Sequence, residues 1–178
     1  MFFLRRSNLE RLPVAMSGVR MGERALQIGV DDASLVGAIA AKVGLSGHAA
    51  VAAATERQSA RARAAAAAAG ALVDVQTTAL NALPFPHESF DVVVLHAGGL
   101  AHPLAGAMLR DGCRVLRPGG RVVVIDGPAR GVLARIRPRR LPDPAATLEA
   151  LTAAGFRAAR LIAEREGYRF LEAVKSQP

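Results

Sequence analysis

Short apolar runs alternate along the chain with stretches in which apolar residues recur every three or four positions. The two strongest runs, 90–95 and 121–126, are nearly continuous rather than alternating, which is typical of strands covered on both faces. The pattern predicts further strands and intervening helices. The predicted strands are 25–29, 49–54 and 71–76, and the predicted helices are 34–43, 55–69, 102–116 and 144–154.

The ends of several elements carry sequence signals. Thr55 and Gln58 have the spacing of a capping box, and Gly70 is placed to end the same helix. Near the end of the chain, the runs 156–163 and 168–174 are separated by a turn and indicate an antiparallel hairpin. The order of elements therefore predicts an α/β fold with a mostly parallel sheet and a terminal antiparallel pair.

Length and composition add limits. The 178 residues are 51% hydrophobic and 21% charged, which excludes global disorder. We divide them into a basic and apolar N-terminal segment, 1–19, and a single domain, 20–178. Cys113 is the only cysteine, so an intrachain disulfide framework and a cysteine-based zinc site are excluded. Arg5 and Arg6 follow the apolar start, the reverse of secretory-signal order, so we expect a cytoplasmic protein, with peripheral membrane association as a further option.

Three stretches carry a family resemblance. They are GERALQIG at 22–29, LPFPHESFDVVV at 83–94 and RVLRPGGR at 114–121. The chain resembles the class I S-adenosylmethionine (SAM)-dependent methyltransferases, in the branch that acts on quinones and other small molecules, over roughly residues 20–175. The resemblance implies a Rossmann-like sheet of seven strands with helices on both faces. A nicotinamide-binding domain is disfavoured, because the chain lacks G-x-G-x-x-G after its first strand.

The resemblance also implies where SAM would bind, and it reveals changes there. In the family a GxGxG loop follows the first strand, and its glycines let the backbone approach the cofactor. Here Gly29 matches the first glycine, Asp31 replaces the second and Ala33 the third. An acidic residue that usually binds the ribose is replaced at Ala54.

Two further positions complete the implied cofactor site. Ala79 replaces an aspartate before the adenine loop, where the backbone of Leu80 could still contact the base. Leu95 ends the fourth predicted strand and His96 follows directly, beside the expected cleft.

The aspartates of the loop leave three interpretations open. Asp31 could repel the carboxylate of SAM, and two like charges about 5 Å apart repel by roughly 3 kcal/mol at an effective dielectric of ~20. Either Asp31 or Asp32 could instead cap the following helix. Alternatively, Asp31 could form a salt bridge with the amino group of the ligand.

Candidate catalytic residues are few. His96 and His102 lie near the expected cleft and are the weak candidates for a general base. We expect no metal site, because these histidines lack a third ligand at suitable spacing. Buried or solvent-exposed histidines without a catalytic role are the alternative.

A cluster of arginines follows the fifth predicted strand. The chain has a net charge of +8, but a general excess of arginine can reflect coding bias, so only local clustering is informative. Five arginines and no acidic residue occur within eleven positions: Arg130, Arg135, Arg137, Arg139 and Arg140. This cluster predicts contact with an anionic membrane surface or an acidic protein, with a solvated loop as the alternative. Nucleic acid is less favoured, because no aromatic stacking residues accompany the arginines.

The sequence thus leads to two functional predictions. The first is a methyltransferase-like protein with an eroded SAM pocket, which binds the cofactor weakly and serves as a binding or scaffolding subunit. The second is an active SAM-dependent methyltransferase that acts on a small or lipid-like acceptor.

Overall fold

The computed structural model describes residues 12–96, 105–127 and 143–177. Seven strands occur in these ranges. They are β1 (Arg24–Ile28), β2 (His48–Ala53), β3 (Asp74–Thr77), β4 (Phe90–His96), β5 (Leu116–Asp126), β6 (Phe156–Arg165) and β7 (Tyr168–Lys175). Five helices accompany them: α1 (Leu12–Met16), α2 (Ala33–Val43), α3 (Glu56–Ala68), α4 (Ala105–Val115) and α5 (Pro144–Ala153). No helix within the described ranges is long and apolar enough to cross a membrane.

The strands form one sheet in the order β3-β2-β1-β4-β5-β7-β6. The first five strands are parallel, and β7 pairs antiparallel with both β5 and β6. Glu166 and Gly167 both have positive φ between β6 and β7, as a tight hairpin turn requires. The predicted fold, a seven-stranded Rossmann-like sheet with a C-terminal hairpin, is confirmed.

The central strand β4 explains why the apolar runs are continuous. Val92 and Val94 pack on one face of the sheet in a cluster that includes residues of α2. Val93 and Leu95 pack on the other face in a cluster that includes residues of α4 and α5. Because both faces of β4 are buried, polar residues have no place in the middle of the strand.

Helix α1 was not predicted from the sequence. It is five residues long and contains Pro13, so it offers too little periodicity to be recognised. Val14 and Val19 are nevertheless buried in the same cluster as β4 and α2. Residues 12–19 therefore pack against the sheet, and the boundary at residue 20 stays a prediction.

Strand β3 is shorter than predicted, because it begins at Asp74 rather than at residue 71. Gly70 has a φ of 65°, and the amide of Ala71 donates to the Ala66 carbonyl. These contacts close the end of α3, and residues 71–73 then carry the chain to the sheet edge. The side chain of Leu72 is 79% exposed on this connection.

Ion pairs connect the amino ends of the parallel strands. Arg121 binds both carboxylate oxygens of Glu23, at 2.9 and 2.8 Å, and also donates to the Gly18 carbonyl. Asp91 accepts from the backbone amide of Arg24 and pairs with Arg117, both at 2.7 Å. The motif residues around positions 91 and 121 thus join the starts of β1, β4 and β5.

A second clamp holds the segment before β4. Asp111 accepts from the Leu83 amide at 2.5 Å, and Arg114 donates to the carbonyls of Leu83 and Phe85 at 3.0 and 2.9 Å. Arg114 and Asp111 also form an ion pair at 2.5 Å. Burial opposes ionisation of Asp111, but the hydrogen bonds from Arg114 and Leu83 outweigh it and lower its pKa. This segment is therefore fixed against α4.

Candidate cofactor site

The strand order reverses between β1 and β4, which places a crevice at their carboxyl ends. Helix α2, which follows β1, packs on one face of the sheet, whereas α4, which follows β4, packs on the other. Ile28 of β1 pairs with Leu95 of β4 at this edge. Ligands of open α/β sheets bind at such a switch point, so this edge is the candidate site.

Gly29 begins the loop after β1. Its φ of 80° is unfavourable for other residues, and its amide donates to the Ala52 carbonyl at 2.8 Å. A Cβ atom at Gly29 would lie 3.9 Å from the side chain of Leu80. The structure therefore brings together the loops after β1 and β3, which the sequence analysis assigned to one site.

The two aspartates of the loop have different environments. Asp32 is the N-cap of α2, and its Oδ1 accepts from the amide and the hydroxyl of Ser34 at 3.0 and 2.5 Å. Asp31 is exposed, and no side chain or amide in the described ranges donates a hydrogen bond to it. The capping role falls to Asp32, so the carboxylate of Asp31 remains available to a ligand.

The end of β2 lacks the expected carboxylate. Ala53 is buried and Ala54 is exposed. The Ala54 amide donates to Oε1 of Gln58 at 2.9 Å, while the Thr55 hydroxyl accepts from the Gln58 amide at 3.2 Å. The predicted helix cap is present, although Gln58 reaches back to Ala54 rather than to Thr55. The side-chain amide of Gln58 therefore binds the backbone of Ala54, the position at which the family resemblance implies a ribose-binding acid.

The loop after β3 is built from backbone contacts. Its first residue, Thr78, donates through its amide to the Ala53 carbonyl at 2.9 Å, which ties the loop to the end of β2. A turn follows in which the Ala82 amide donates to the Ala79 carbonyl at 3.0 Å. Ala79 is exposed and Leu80 is half-buried against the core. A purine at this position would meet backbone and an aliphatic side chain rather than a carboxylate.

Gln27 lies next to the candidate site and was not singled out in the sequence analysis. It is the penultimate residue of β1, only 2% of its surface is exposed, and its Nε2 donates to the Gly29 carbonyl at 3.3 Å. Its Oε1 is buried and has no hydrogen-bond partner among the residues that the structure describes. A buried unpaired oxygen is costly, which favours a donor from a ligand or water. The signal in the sequence was a single amide within an apolar strand.

The weaker candidates are placed as follows. His96 is half-buried at the end of β4, whereas His102 lies outside the described residues. The five clustered arginines, Arg130, Arg135, Arg137, Arg139 and Arg140, also lie outside them. Burial raises the pKa of the Cys113 thiol, which lowers the population of its reactive thiolate form. Within the described ranges, no three potential metal ligands lie together.

Known proteins resemble the chain in sequence and in structure. The family described as "methyltransferase domain" matches residues 25–120, which is more than half of the chain. A ubiquinone/menaquinone biosynthesis C-methyltransferase from Ectopseudomonas mendocina is 32% identical over 131 residues, covering 71% of this chain and 51% of the relative. The enzyme of the same name from Nitrosospira multiformis is 29% identical over 171 residues, covering 95% and 66%.

A solved structure supports the same fold. A SAM-dependent methyltransferase from Aquifex aeolicus superposes with a TM-score of 0.76 at 18% identity, covering 91% of this chain and 87% of that one. The chain spans about half the length of the first of the curated relatives above, so their activity is not transferred with the fold. From its matched domain, the chain belongs to the class I SAM-dependent methyltransferase family, with curated relatives in the quinone-type branch.

Proposed function

We propose that this protein is a SAM-dependent methyltransferase that acts on a small or lipid-like acceptor. The family implies SAM as the cofactor, and curated relatives are named for methylation in ubiquinone and menaquinone biosynthesis. A hydroquinone-type ring is therefore the acceptor class to test first.

The observation that carries the proposal is the difference between the environments of Asp31 and Asp32. Asp32 caps α2, whereas the neighbouring Asp31 is exposed in the same loop after β1. A carboxylate in that position complements the ammonium group of SAM. An ion pair between Asp31 and this ammonium group would then compensate for part of the binding that the family obtains from the backbone of a glycine at this position.

Further features of the crevice suit the cofactor. Gly29 leaves open the space between its own backbone and Leu80, which a side chain would narrow. The buried Oε1 of Gln27 lacks a donor among the described residues, two positions before Gly29. When bound, SAM supplies an electrophilic methyl group. The protein residues named here would bind and orient the reactants, and such positioning can account for much of the rate without a catalytic base.

A second candidate function is a SAM-independent binding or scaffolding subunit. It is favoured by the alanines at positions 54 and 79, which remove two carboxylates, and by the contact between Gln58 and the Ala54 amide. Each missing charged hydrogen bond weakens binding by about 1.5–3 kcal/mol. Both candidates therefore predict a weakened affinity for SAM. In the methyltransferase Asp31 strengthens SAM binding, whereas in the scaffolding subunit it does not.

Calorimetric titration with SAM and with its demethylated product distinguishes the two candidates. Asp31→Asn should weaken SAM binding about tenfold if the carboxylate pairs with the ligand ammonium. Glu149→Gln is the matched control, because it removes the same charge from an exposed position on α5. Tighter binding by Asp31→Asn would show that the carboxylate repels the ligand. Absence of binding up to about 1 mM by the folded protein would favour the scaffolding function.

A further inference from the structure

A cavity of about 530 Å³ opens at the amino end of the sheet, away from the candidate cofactor site. It lies between the C-terminal ends of α2 and α3 and the first residues of β2 and β3. This volume is within the range of small-molecule binding sites. The proposed methyl transfer makes no use of it.

The cavity exists because small residues surround it. Of the thirteen described residues that line it, eight are alanine or glycine, among them Ala41, Ala71 and Gly70. Leu45 and Leu72 lie at the same cavity and are 91% and 79% exposed. A bound apolar group would remove part of this leucine surface from water, which is favourable by about 25 cal/mol per Å².

The charge of the lining differs from that of the whole protein. The chain has 23 lysines and arginines, yet none of those in the described ranges lines the cavity; its described lining has one acidic residue, Asp74, and one histidine, His48. Lys42, in the last turn of α2, instead donates to the Val14 carbonyl at 3.2 Å. Two helix C-termini also end at the cavity, and each contributes partial negative charge. The cavity is therefore a locally negative, apolar site in a protein with net positive charge.

We propose that this cavity binds a small organic monocation with an apolar tail, such as an alkylammonium. The tail lies against Leu45 and Leu72, and the ammonium group faces Asp74 and the two helix ends. Gln76 donates to one oxygen of Asp74 at 2.7 Å, and within the described ranges no other side chain bonds to that carboxylate. Its second oxygen can thus accept from the ligand.

The test is a titration followed by amide chemical shifts, with hexylammonium, hexanol and hexanoate as probes of equal chain length. Near pH 8 hexylammonium keeps its charge, so the series compares a cationic, a neutral and an anionic head group at the same number of carbon atoms. We expect hexylammonium to bind about tenfold more tightly than hexanol, and hexanoate more weakly than hexanol. Asp74→Asn should reduce hexylammonium binding to the level of hexanol, whereas Glu149→Gln should leave it unchanged.

A cavity-filling variant tests the location independently of charge. Ala71→Leu should abolish binding of all three probes, and Ala153→Leu, at an exposed position on α5, should preserve it. Melting curves confirm that each variant is folded. Equal binding of hexylammonium and hexanol to the unmodified protein, no saturable shift up to about 20 mM, or full binding by folded Ala71→Leu would overturn the proposal.

Discussion

The two edges of the parallel sheet use polar residues in opposite ways. At the amino edge, Glu23 and Arg121 form a two-pronged ion pair, and Asp91 binds both the Arg24 amide and Arg117. At the carboxyl edge, Asp31 is exposed and one oxygen of Gln27 is buried without a donor among the described residues. Around β1, β4 and β5, the polar groups of the amino edge are paired within the protein, whereas these two groups of the carboxyl edge have no partner among the described residues.

This difference indicates where the sequence serves stability and where it serves binding. Burial opposes ionisation of Glu23, but hydrogen bonds from Arg121 and the Arg20 amide outweigh it and lower its pKa. A lowered pKa means that the pair stabilises the fold above the ordinary pKa of glutamate, and this contribution is lost as pH falls through the lowered value. At the carboxyl edge, the Oε1 of Gln27 is buried without a hydrogen-bond partner among the described residues, a local cost that is typical of functional sites.

Breaking the amino-edge ion pair should give the largest effect on stability. Arg121→Met leaves Glu23 partly buried without its ion-pair partner, and only the Arg20 amide still donates to it, so we expect the unfolding free energy to fall by about 2–3 kcal/mol in urea titrations near pH 7. The cost should shrink as pH falls through the lowered pKa of Glu23, because the protonated carboxyl no longer carries the charge that Arg121 pairs with. Arg160→Met is the matched control: it breaks an ion pair whose arginine is 70% exposed and should cost less than about 0.5 kcal/mol. A similar cost for both variants would contradict the contrast between buried and exposed pairs.

Restoring a carboxylate at the carboxyl edge should increase the affinity for SAM, which tests whether this edge is the binding edge. Ala54→Asp places a charged acceptor at the end of β2, where the family uses one for the ribose. We expect SAM to bind about tenfold more tightly, in line with the net value of a charged hydrogen bond. Ala54→Asn is the control, because it adds a side chain of similar shape without the charge. If the aspartate variant folds but gains no affinity in calorimetry, the ribose position is not where the family resemblance places it.

Much of the fold was predictable because its signals are local. The continuous runs at Val92–Val94 and Val122–Val124 mark strands that are buried on both faces, and the structure confirms both. The start of β3 was predicted too early, because Leu72 resembles a strand residue although it lies exposed on a connection. Local hydrophobicity does not reveal where a neighbouring strand begins to pair.

The candidate site was less predictable, because it depends on which of several similar groups is engaged. The residue types at positions 31 and 32 are identical, and only the geometry shows that Asp32 caps α2. Gln58 was assigned to the helix cap, but its contact with the Ala54 amide could not be read from spacing. Gln27 was read as part of an apolar strand, since its burial and its bond to Gly29 are tertiary properties.

Replacing Gln27 should lower SAM affinity while changing the stability of the fold only slightly. Gln27→Met keeps the volume and removes the unpaired oxygen, so we expect stability to change by less than about 1 kcal/mol. SAM affinity should fall about threefold, because the amide no longer holds the Gly29 carbonyl or accepts from the ligand. Val94→Met, on the neighbouring strand β4, is a control for packing changes. Unchanged affinity in a folded Gln27→Met variant would return this residue to a structural role.

The smallest effect on the fold is expected from the arginine cluster, which follows β5 along the chain from the carboxyl edge. We propose that it contacts an anionic membrane surface, because five positive charges without an acidic residue attract anionic lipid at about 1 kcal/mol each. A variant with glutamine at positions 135, 137, 139 and 140 should keep its melting temperature nearly unchanged if the cluster serves binding rather than the fold, and differential scanning calorimetry measures this. Its binding to phosphatidylserine vesicles should fall, and binding of the unmodified protein should weaken with added salt.

The matched control for that variant removes the same charge from exposed positions elsewhere: Arg57, Arg61, Arg157 and Arg165. If vesicle binding follows net charge alone, both quadruple variants lose it equally, since screening acts on all exposed charges. If the cluster forms the contact, only the first variant loses it, because attraction to the surface falls off within about 10 Å at moderate salt. Equal loss would assign the interaction to the arginine-rich composition of the chain, and no loss in either would leave the cluster as a solvated loop.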